Sequence, residues 1–259
     1  MTIHERRPVY FVGAGPGDVE LITVKGRKLL DAADCIIYAG SLVNPQLLDG
    51  CHAAIHDSSP LNLDEIIGLI HAAWQRGEMV VRLHTGDPSI YGAIKEQMVR
   101  LEELSVPSLV VPGVSSAFAA AASLKAELTL PEIAQTVIIT RQEGRTPVPE
   151  KERLRLLAAH QTTMLIFLSA GLLPTVVEEL LAGGYPDDTP VVVVERASWS
   201  NERIVRGTLS TISPRAAAEG ISRTAMICVG RVFADQPLAA VSKLYDRHFS
   251  HGTREAKDD

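Results

Sequence analysis

The sequence predicts an α/β fold made of two α/β/α domains, and two features of its pattern carry this prediction. Short apolar runs alternate with segments of helical period through the first half of the chain, which is typical of βαβ units around a mostly parallel sheet. After Pro112 and Gly113 the apolar runs follow one another more closely, which indicates a mixed sheet in the second half. With 259 residues, 46% of them hydrophobic and 22% charged, the chain is long enough for two cores.

The predicted domain boundaries follow this change of pattern. Residues 1–113 are expected to form an N-terminal α/β domain, and residues 114–235 a C-terminal α/β domain. Residues 236–259 are a polar C-terminal tail that ends in "SHGTREAKDD", for which we expect no more than a short helix.

The elements of the N-terminal domain follow from their periodicity. Strands are predicted at "VYFVGAG", "CIIYAG", "MVVRL" and "PSLVVPG". Helices are predicted at "TVKGRKLLDAAD", from Leu63 to Trp74, and at "SIYGAIKEQMVRLEEL". Asn62 with Glu65 three residues later is typical of a capping box, and Gly77 is expected to end the second of these helices.

In the C-terminal domain the pattern predicts strands at "TVIITR", "TMLIFLS", "PVVVVERA" and "TAMICVGRV". Helices are predicted at "SSAFAAAASLKAEL", at the start of "KERLRLLAAH" and at "LLPTVVEELLAGG". The segment "WSNERIVRGTL" is typical of a hairpin or an edge strand.

Charge and cysteine content narrow the class of protein. A formal net charge of −6 does not favour RNA or DNA as a partner, and an acidic substrate then needs a local group of arginines. The three cysteines are scattered and odd in number, which suits a reducing compartment. No apolar N-terminal segment and no apolar run of about 18 residues is present, so we expect a cytoplasmic protein without a membrane partner.

The segment "FVGAGPGDVELIT" has the glycines of a nucleotide loop but not its electrostatics. Gly13, Gly15 and Gly17 are in place, whereas Asp18 stands where the dinucleotide fingerprint has its last glycine. Pro16 has no N–H to donate, and a carboxylate at Asp18 opposes a phosphate. A nucleoside without phosphates, such as S-adenosylmethionine, fits this loop. A tight turn with Asp18 as a helix cap is the structural alternative.

Two further loops follow predicted strands. "RLHTGDPSIYGA" lies at the carboxyl end of a strand, where open α/β sheets bind ligands, although Asp87 as a helix cap and Pro88 as a first helical residue also explain it. In "VVPGVSSAFAAAA", Ser115 and Ser116 stand at the head of an alanine-rich helix and are equally explained as caps. The small side chains there allow a ligand to approach the backbone.

The segments "GAGPGD", "TGDPSIYG" and "PGVSS", in this order and spacing, resemble the tetrapyrrole methylase family, the class III S-adenosylmethionine-dependent methyltransferases. The resemblance extends from about Val9 to Val232, and "YAGSLVN" with "EGRTPVPE" resembles the members that act in cobalamin biosynthesis. It implies a homodimeric enzyme that binds S-adenosylmethionine in a cleft between two α/β domains. It also implies methyl transfer to a ring carbon of a tetrapyrrole, with S-adenosylhomocysteine as the second product and no metal cofactor.

The resemblance also assigns residues to the methyl donor. From the three loops it implies contacts by Pro16, Thr85, Gly86, Asp87, Ile90, Tyr91, Ser115 and Ser116. From the second half of the chain it implies contacts to the adenine by Leu168, Ala197, Thr224 and Ala225. Asp87 is expected to orient the donor and to help the substrate lose a proton.

A tetrapyrrole of this pathway carries many carboxylates, which guanidinium groups bind in a bidentate manner. The candidates for substrate contacts are Arg82, His84, Arg141, Arg145, Arg196 and Arg203. We expect about half of the arginines to be ordinary surface charges, and His84 is also explained as a histidine at the end of a strand. Gly40 stands where some relatives with cobalt-containing substrates carry an acidic residue, which favours a metal-free substrate. The residues of "CHAAIHD" have no second ligand cluster at zinc spacing, so we do not expect a metal site there.

Other functions remain open at this point. A sibling enzyme that methylates another precorrin carbon or uroporphyrinogen III has the same pattern. Relatives that methylate ribosomal RNA are disfavoured by the negative charge, while those that methylate a protein stay open. From other classes, an NAD-linked reductase with an altered fingerprint and a non-catalytic tetrapyrrole carrier are the alternatives.

Overall fold

The computed structural model describes residues 7–235, 242, 248–250 and 252–255, which fall into two compact units. The first unit comprises Met1–Ala119 together with the short segment Arg196–Asn201. The second comprises Ala120–Glu195 and Glu202–Asp259. Most of the tail predicted at residues 236–259 lies outside the described residues, and the domain boundaries drawn from sequence stay a prediction.

The first unit contains a five-stranded parallel sheet, as the alternation of strands and helices predicts. Its strands are β1 (Val9–Gly13), β2 (Cys35–Tyr38), β3 (Ala54–Asp57), β4 (Val80–His84) and β5 (Ser108–Val111), in the order β3-β2-β4-β1-β5. Every pairing is parallel. Strand β3 was not predicted, because this edge strand is mostly exposed and its sequence, "AIHD", has no apolar run.

Helices cover both faces of this sheet. They are α1 (Val24–Asp31), α2 (Leu63–Gln75) and α3 (Lys95–Glu103), and α4 (Ser116–Ser123) follows β5. On one face, Ile70 and Trp74 of α2 and Leu101 of α3 pack with Phe11. On the other face, Leu30 of α1 belongs to a second apolar cluster.

The start of α2 is capped as predicted. The backbone N–H of Glu65 donates to Asn62 Oδ1 at 3.0 Å, and the N–H of Asn62 donates to Glu65 Oε2 at 2.8 Å. Gly77 follows the helix with a φ of +82°, a conformation that glycine adopts without strain.

The helix predicted at "SIYGAIKEQMVRLEEL" begins later than expected, at Lys95. Tyr91 and Ala93 have φ values of +55° and +49°, which no right-handed helix contains. Asp87 caps no helix, because its carboxylate binds backbone amides of its own loop and of the loop after β5. Tertiary hydrogen bonds therefore override the local helix signal between residues 88 and 94.

The second unit contains a mixed five-stranded sheet, which confirms the prediction for this half of the chain. Its strands are β6 (Val137–Arg141), β7 (Thr163–Phe167), β8 (Pro190–Glu195), β9 (Arg203–Thr208) and β10 (Ala225–Val229), in the order β6-β7-β10-β8-β9. Only the β6–β7 pairing is parallel. Strand β9 is the edge strand expected from "WSNERIVRGTL".

Three helices pack against one face of this second sheet. They are α5 (Leu154–Ala158), α6 (Leu173–Ala182) and α7 (Ile212–Ala218), the last of which sequence analysis did not predict. Val176 and Leu180 of α6 are fully buried there with Ile166 and Ile227. Among the described residues, no helix is both long and apolar enough to cross a membrane.

Candidate functional site

Three glycines bring the loops after β1, β4 and β5 into direct contact. These strands are parallel neighbours, so their carboxyl ends meet at one edge of the sheet. A Cβ atom on Gly13 would lie 2.6 Å from the Cα atom of Gly113 and 2.6 Å from the carbonyl oxygen of Gly86. A Cβ atom on Gly113 would overlap the same carbonyl oxygen. We call Gly13, Gly86 and Gly113 the glycine junction.

Backbone hydrogen bonds join the first loop to the second. The N–H of Gly86 donates to the carbonyl of Gly15 at 2.8 Å, and the N–H of Gly15 donates to the carbonyl of Gly86 at 3.2 Å. Both glycines have positive φ values, +80° for Gly15 and +62° for Gly86. The backbone N–H and carbonyl groups of Gly15 and Gly86 are therefore satisfied within the protein.

Asp87 joins the second loop to the third. Its Oδ1 accepts from the N–H of Ser89 at 2.8 Å, and its Oδ2 accepts from the N–H of Gly113 at 2.9 Å. Partial burial alone would raise the pKa of Asp87, but hydrogen bonds from the Gly113 and Ser89 backbones outweigh it and hold that pKa below its usual range. Asp87 is thus a carboxylate at neutral pH, with both oxygens engaged.

The segment Arg196–Asn201 covers the first loop. Trp199 Nε1 donates to the carbonyl of Pro16 at 2.8 Å. A Cβ atom on Gly17 would overlap the Trp199 indole ring, so this position accepts only glycine while the ring is in place. Pro16 and Gly17 are both buried.

Three further polar groups of the first loop have partners within the protein. Asn44 Nδ2 donates to the carbonyl of Gly17 at 2.7 Å, and the N–H of Asp18 donates to Ser198 Oγ at 3.0 Å. The carboxylate of Asp18 accepts from the N–H of Glu20 at 2.9 Å and so caps the short 3-10 turn Val19–Leu21. The structural explanation of Asp18 as a cap is confirmed, and its carboxylate lies where a pyrophosphate would need a neutral or positive group.

Arg82 and His84 lie inside the first unit, on β4. The Arg82 guanidinium donates to Gln97 Oε1 and to the carbonyl of Ile37, each at 3.1 Å, and burial lowers its pKa to about 10. His84 stacks on Phe11, and burial followed by the charge of Arg82 lowers its pKa to about 3. His84 is therefore neutral at physiological pH. The contacts of both residues with substrate stay predictions.

The other residues of the first unit that are predicted to contact the methyl donor lie on the same loops. Thr85 Oγ1 is buried and has no hydrogen-bond partner among the described residues. Ser115 is buried and accepts from the N–H of Ala117 at 3.3 Å, and Ser116 begins α4. Ile90 is half-buried and Tyr91 is exposed. Arg196 is exposed and Ala197 is buried, both on the covering segment.

In the second unit, Leu168, Thr224 and Ala225 lie at one edge of the mixed sheet. Strand β10 begins at Ala225, and its antiparallel pairing with β7 places its start beside the end of β7, where Leu168 follows. Leu168 is 70% exposed, and Leu168 and Thr224 have φ values of +55° and +53°. An exposed leucine in the left-handed region is uncommon and indicates that its surroundings hold it there.

The predicted arginines of the second unit differ in the contacts that they make within the protein. Arg141 donates to the carbonyl of Pro147 at 2.6 Å within its own loop. Arg203 forms an ion pair with Glu195 at 2.7 Å. Arg145 is exposed.

Four residues of this region were not predicted from the sequence, namely Asn44, Gln97, Ser198 and Trp199. The available signals were a tryptophan inside the polar segment "ASWSN" and a glutamine at a core position of an amphipathic helix. Within the described ranges no three His, Cys, Asp or Glu residues group as metal ligands, and the expected absence of a metal stays a prediction.

A parallel sheet that gathers three glycine-containing loops at its carboxyl edge is the arrangement by which α/β proteins bind small ligands. The family model for Tetrapyrrole (Corrin/Porphyrin) Methylases matches residues 8–213. The chain belongs to this family, as the three loop motifs predict.

The alignments with two similar proteins extend over nearly the whole chain. The chain is 57% identical over 252 residues to the cobalt-precorrin-4 C(11)-methyltransferase of Methanocaldococcus jannaschii, covering 96% of this chain and 97% of the relative. It is 49% identical over 244 residues to the precorrin-4 C(11)-methyltransferase of Pseudomonas aeruginosa, covering 94% and 97%.

Solved structures agree with the fold. A crystal structure of a cobalt precorrin-4 methyltransferase of cobalamin biosynthesis matches with a TM-score of 0.86 and 48% identity, covering 87% of this chain and 95% of that chain. The uroporphyrin-III C-methyltransferase of Thermus thermophilus complexed with S-adenosylhomocysteine matches with a TM-score of 0.73 and 31% identity, covering 87% and 98%.

The contact between Gly17 and Trp199 yields a stability prediction. Gly17→Ala should lower the free energy of unfolding by about 1–3 kcal/mol, because the new methyl group must displace the indole. In a Trp199→Ala background the same change should have a clearly smaller effect, since the overlap is gone. Denaturant unfolding of the four proteins measures this coupling.

Gly68→Ala is the matched control for that cycle. Gly68 lies in α2 with no atom near the position of a Cβ, so alanine there should stabilise by about 0.5–1 kcal/mol. Equal losses for Gly17→Ala with and without the indole would show that the ring does not set this position.

The two hydrogen bonds of Asp87 yield a pH prediction. An asparagine side chain at this position would offer one acceptor and one donor, so Asp87→Asn should lower the free energy of unfolding by about 1–3 kcal/mol at neutral pH. Because the folded-state pKa lies below the ordinary value of 3.8, this stabilisation is present above that value and is lost as pH falls through the folded pKa. The difference between the two proteins should therefore shrink as the pH falls from about 5 to about 3.

Unfolding curves at several pH values measure this difference, with the exposed Asp49→Asn as a control of equal charge change. A difference that stays constant throughout this fall in pH would mean that the Asp87 carboxylate is not what the amides recognise.

Proposed function

We propose that this protein transfers a methyl group from S-adenosylmethionine to C11 of precorrin-4 or its cobalt complex, in the synthesis of the corrin ring of cobalamin. The observation that carries the proposal is the identity of 57% and 49%, over nearly the full chain, with two relatives named as C11-methyltransferases. The more distant uroporphyrin-III methyltransferase, at 31% identity, supports the reaction class rather than this position.

Both a cobalt-containing and a metal-free substrate have support from the relatives. The relative at 57% identity is named for the cobalt complex, and the one at 49% for the metal-free compound. Gly40, which favours the metal-free substrate by resemblance, has a local explanation as well. Its φ is +63°, and a Cβ atom there would lie 2.9 Å from the Cβ atom of Ser59. We therefore propose both substrates as candidates and separate them by experiment.

The methyl donor fits the chemistry of the first unit. The Pro16 and Gly17 carbonyls and the Asp18 N–H of the first loop bind side chains of the protein, and the Asp18 carboxylate opposes a phosphate, which S-adenosylmethionine lacks. The buried Thr85 Oγ1, unpartnered among the described residues, is a group that a bound ligand would satisfy. The Thermus relative in complex with S-adenosylhomocysteine supports the same ligand. We propose contacts by the loop residues Pro16, Thr85, Gly86, Ile90, Tyr91, Ser115 and Ser116.

The reaction is an in-line displacement at the methyl carbon. A nucleophilic ring carbon of the macrocycle forms the new C–C bond as the C–S bond breaks, and the sulfonium becomes a neutral thioether. Because positive charge is lost from sulfur, the site needs no strong anion beside it. Alignment of the two reactants is then the main contribution of the protein, for which effective molarities correspond to up to about 7–11 kcal/mol of the barrier.

We assign Asp87 to that alignment. With both carboxylate oxygens accepting from backbone amides and a lowered pKa, Asp87 is poorly placed to take a proton from the substrate. Asp87 holds the second and third loops together. It thereby also holds in place the residues on both loops that we propose contact the methyl donor. The mechanism that we propose therefore assigns no proton removal to Asp87.

The proposed carboxylate partners on the substrate are the exposed arginines. Arg145 and Arg196 present their guanidinium groups to solvent, where a bidentate pair with a carboxylate is accessible. Arg82 is not included, because its guanidinium is buried and bound to Gln97 and Ile37. An NAD-linked reductase is not proposed, since the chain belongs to a methylase family.

We also propose a cytoplasmic homodimer. The three cysteines are free, which suits a reducing compartment. Edge strand β5 exposes Leu109 and Val110, and Phe118 of α4 is 56% exposed. An edge strand with exposed apolar side chains pairs readily with another chain.

Methyl transfer tests the function directly. Purified protein is mixed with S-adenosylmethionine carrying a ¹³C methyl group and with precorrin-4 or cobalt-precorrin-4, and NMR locates the label. Label at C11 with one of the two substrates is expected, and their kcat/KM ratio decides which is preferred. Label at another carbon would keep the family and contradict the position. No label with either, despite donor binding, would contradict the proposed substrate.

Light scattering tests the assembly. The expected mass is twice the 28.0 kDa of one chain. Leu109→Glu, which places a charge on the exposed edge strand, should shift the mass toward one chain, whereas Leu156→Glu is a control at a leucine of similar exposure in the second unit. A single-chain mass for the unaltered protein would contradict the dimer.

A further inference from the structure

Residues 88–93, which we call the donor segment, form the last part of the second loop and are held in a strained conformation ahead of α3. Tyr91 and Ala93 have φ values of +55° and +49°. A Cβ atom on Gly92 would overlap the carbonyl oxygen of Pro88, so the segment folds tightly on itself. Non-glycine residues persist at positive φ only where their surroundings hold them. Asp87 holds the start of this segment through the N–H of Ser89.

Gln97 holds the other end. It lies on α3 at a position that faces the core, and only 4% of its surface is exposed. Its Nε2 donates to the carbonyl of Ala93 at 2.9 Å. Its Oε1 accepts from Arg82 Nε at 3.1 Å. Both ends of the amide are therefore used, one of them on the strained segment.

Arg82 determines which way the amide of Gln97 points. A guanidinium has only donors, so the atom that faces it must be the amide oxygen. Arg82 is itself anchored, because its second nitrogen donates to the carbonyl of Ile37 on β2 at 3.1 Å. With the oxygen of Gln97 directed to Arg82, its NH₂ group is left for Ala93. Arg82 on β4, itself bound to the Ile37 carbonyl on β2, thus fixes the orientation of the Gln97 amide, whose NH₂ group donates to the Ala93 carbonyl.

We propose that Gln97 is a positioning residue for the methyl donor: through the carbonyl of Ala93 it holds the donor segment, and with it Ile90 and Tyr91, in the binding conformation. The inference rests on the proposed function, from which the roles of Ile90 and Tyr91 come. Gln97 acts through the segment and not by contact with the donor. A core position that merely needed filling would take leucine, as Leu101 does one turn later on the same helix.

Two variants of Gln97 separate its two hydrogen bonds. Gln97→Glu keeps an acceptor for Arg82 but presents a carboxylate oxygen, which cannot donate to the Ala93 carbonyl. Gln97→Asn keeps a neutral amide but is shorter by one methylene group, so it cannot reach both partners. The neutral variant keeps the test decisive if the buried charge of the first variant prevents folding. Lys95→Gln is the matched control, because it changes the net charge as Gln97→Glu does at an exposed position on α3.

The measurements are calorimetric binding of S-adenosylhomocysteine, hydrogen exchange of the backbone amides, and steady-state kinetics. Both Gln97 variants should bind S-adenosylhomocysteine about tenfold more weakly, the factor expected when one buried hydrogen bond is lost from the binding conformation. Amides of residues 89–94 should exchange faster, while those of β1 and β5 stay unchanged. The KM for S-adenosylmethionine should rise and the KM for the tetrapyrrole should stay the same.

The outcomes distinguish the inference from the proposed function. If the unaltered protein does not bind S-adenosylhomocysteine, the donor itself is wrong. If it binds and the variants bind equally well, the positioning role of Gln97 is wrong, whether or not the segment exchanges faster. An equal rise in both KM values would also overturn it, because a general loss of structure does not single out the donor.

Discussion

The absence of side chains at the glycine junction is the constraint on which the rest of the first unit depends. A methyl group on Gly13 or on Gly113 would collide with backbone of a neighbouring loop, and Gly86 has a φ of +62°, which favours glycine. Because that space is empty of side chains, the loops after β1, β4 and β5 meet and share hydrogen bonds. The parallel sheet supplies the common edge, and the glycines supply the close approach.

The first loop shows how a nucleotide-like sequence serves a different purpose. In a dinucleotide site the glycines leave amides open to phosphate. Here the carbonyls of Pro16 and Gly17 and the N–H of Asp18 bind side chains of the protein itself, and an indole covers Gly17. Pro16 and Asp18, the two departures from the fingerprint, are thus each bonded to another group of the protein, and both disfavour a phosphate, because proline has no N–H and the carboxylate is negative.

Two polar side chains maintain the strained segment at the end of the second loop. Asp87 binds amides at its start, and Gln97 binds a carbonyl at its end. Positive φ values at Tyr91 and Ala93 raise the energy of the segment locally, and the hydrogen bonds to the Asp87 carboxylate and to the anchored amide of Gln97 offset it. Local strain and buried polarity therefore occur together, next to the residues proposed to bind the donor.

The sequence by itself determined the fold class, nine of the ten strands, the capping box at Asn62 and the family, because these depend on local periodicity and on motifs within single loops. It did not predict the exposed strand β3, whose alternation is weak, or the delayed start of α3. Those features, with the contacts of Trp199 and Gln97, were decided only by tertiary structure. The physical reason is that a hydrogen bond between residues 183 positions apart, such as that from Trp199 to Pro16, leaves no periodic signal in either segment.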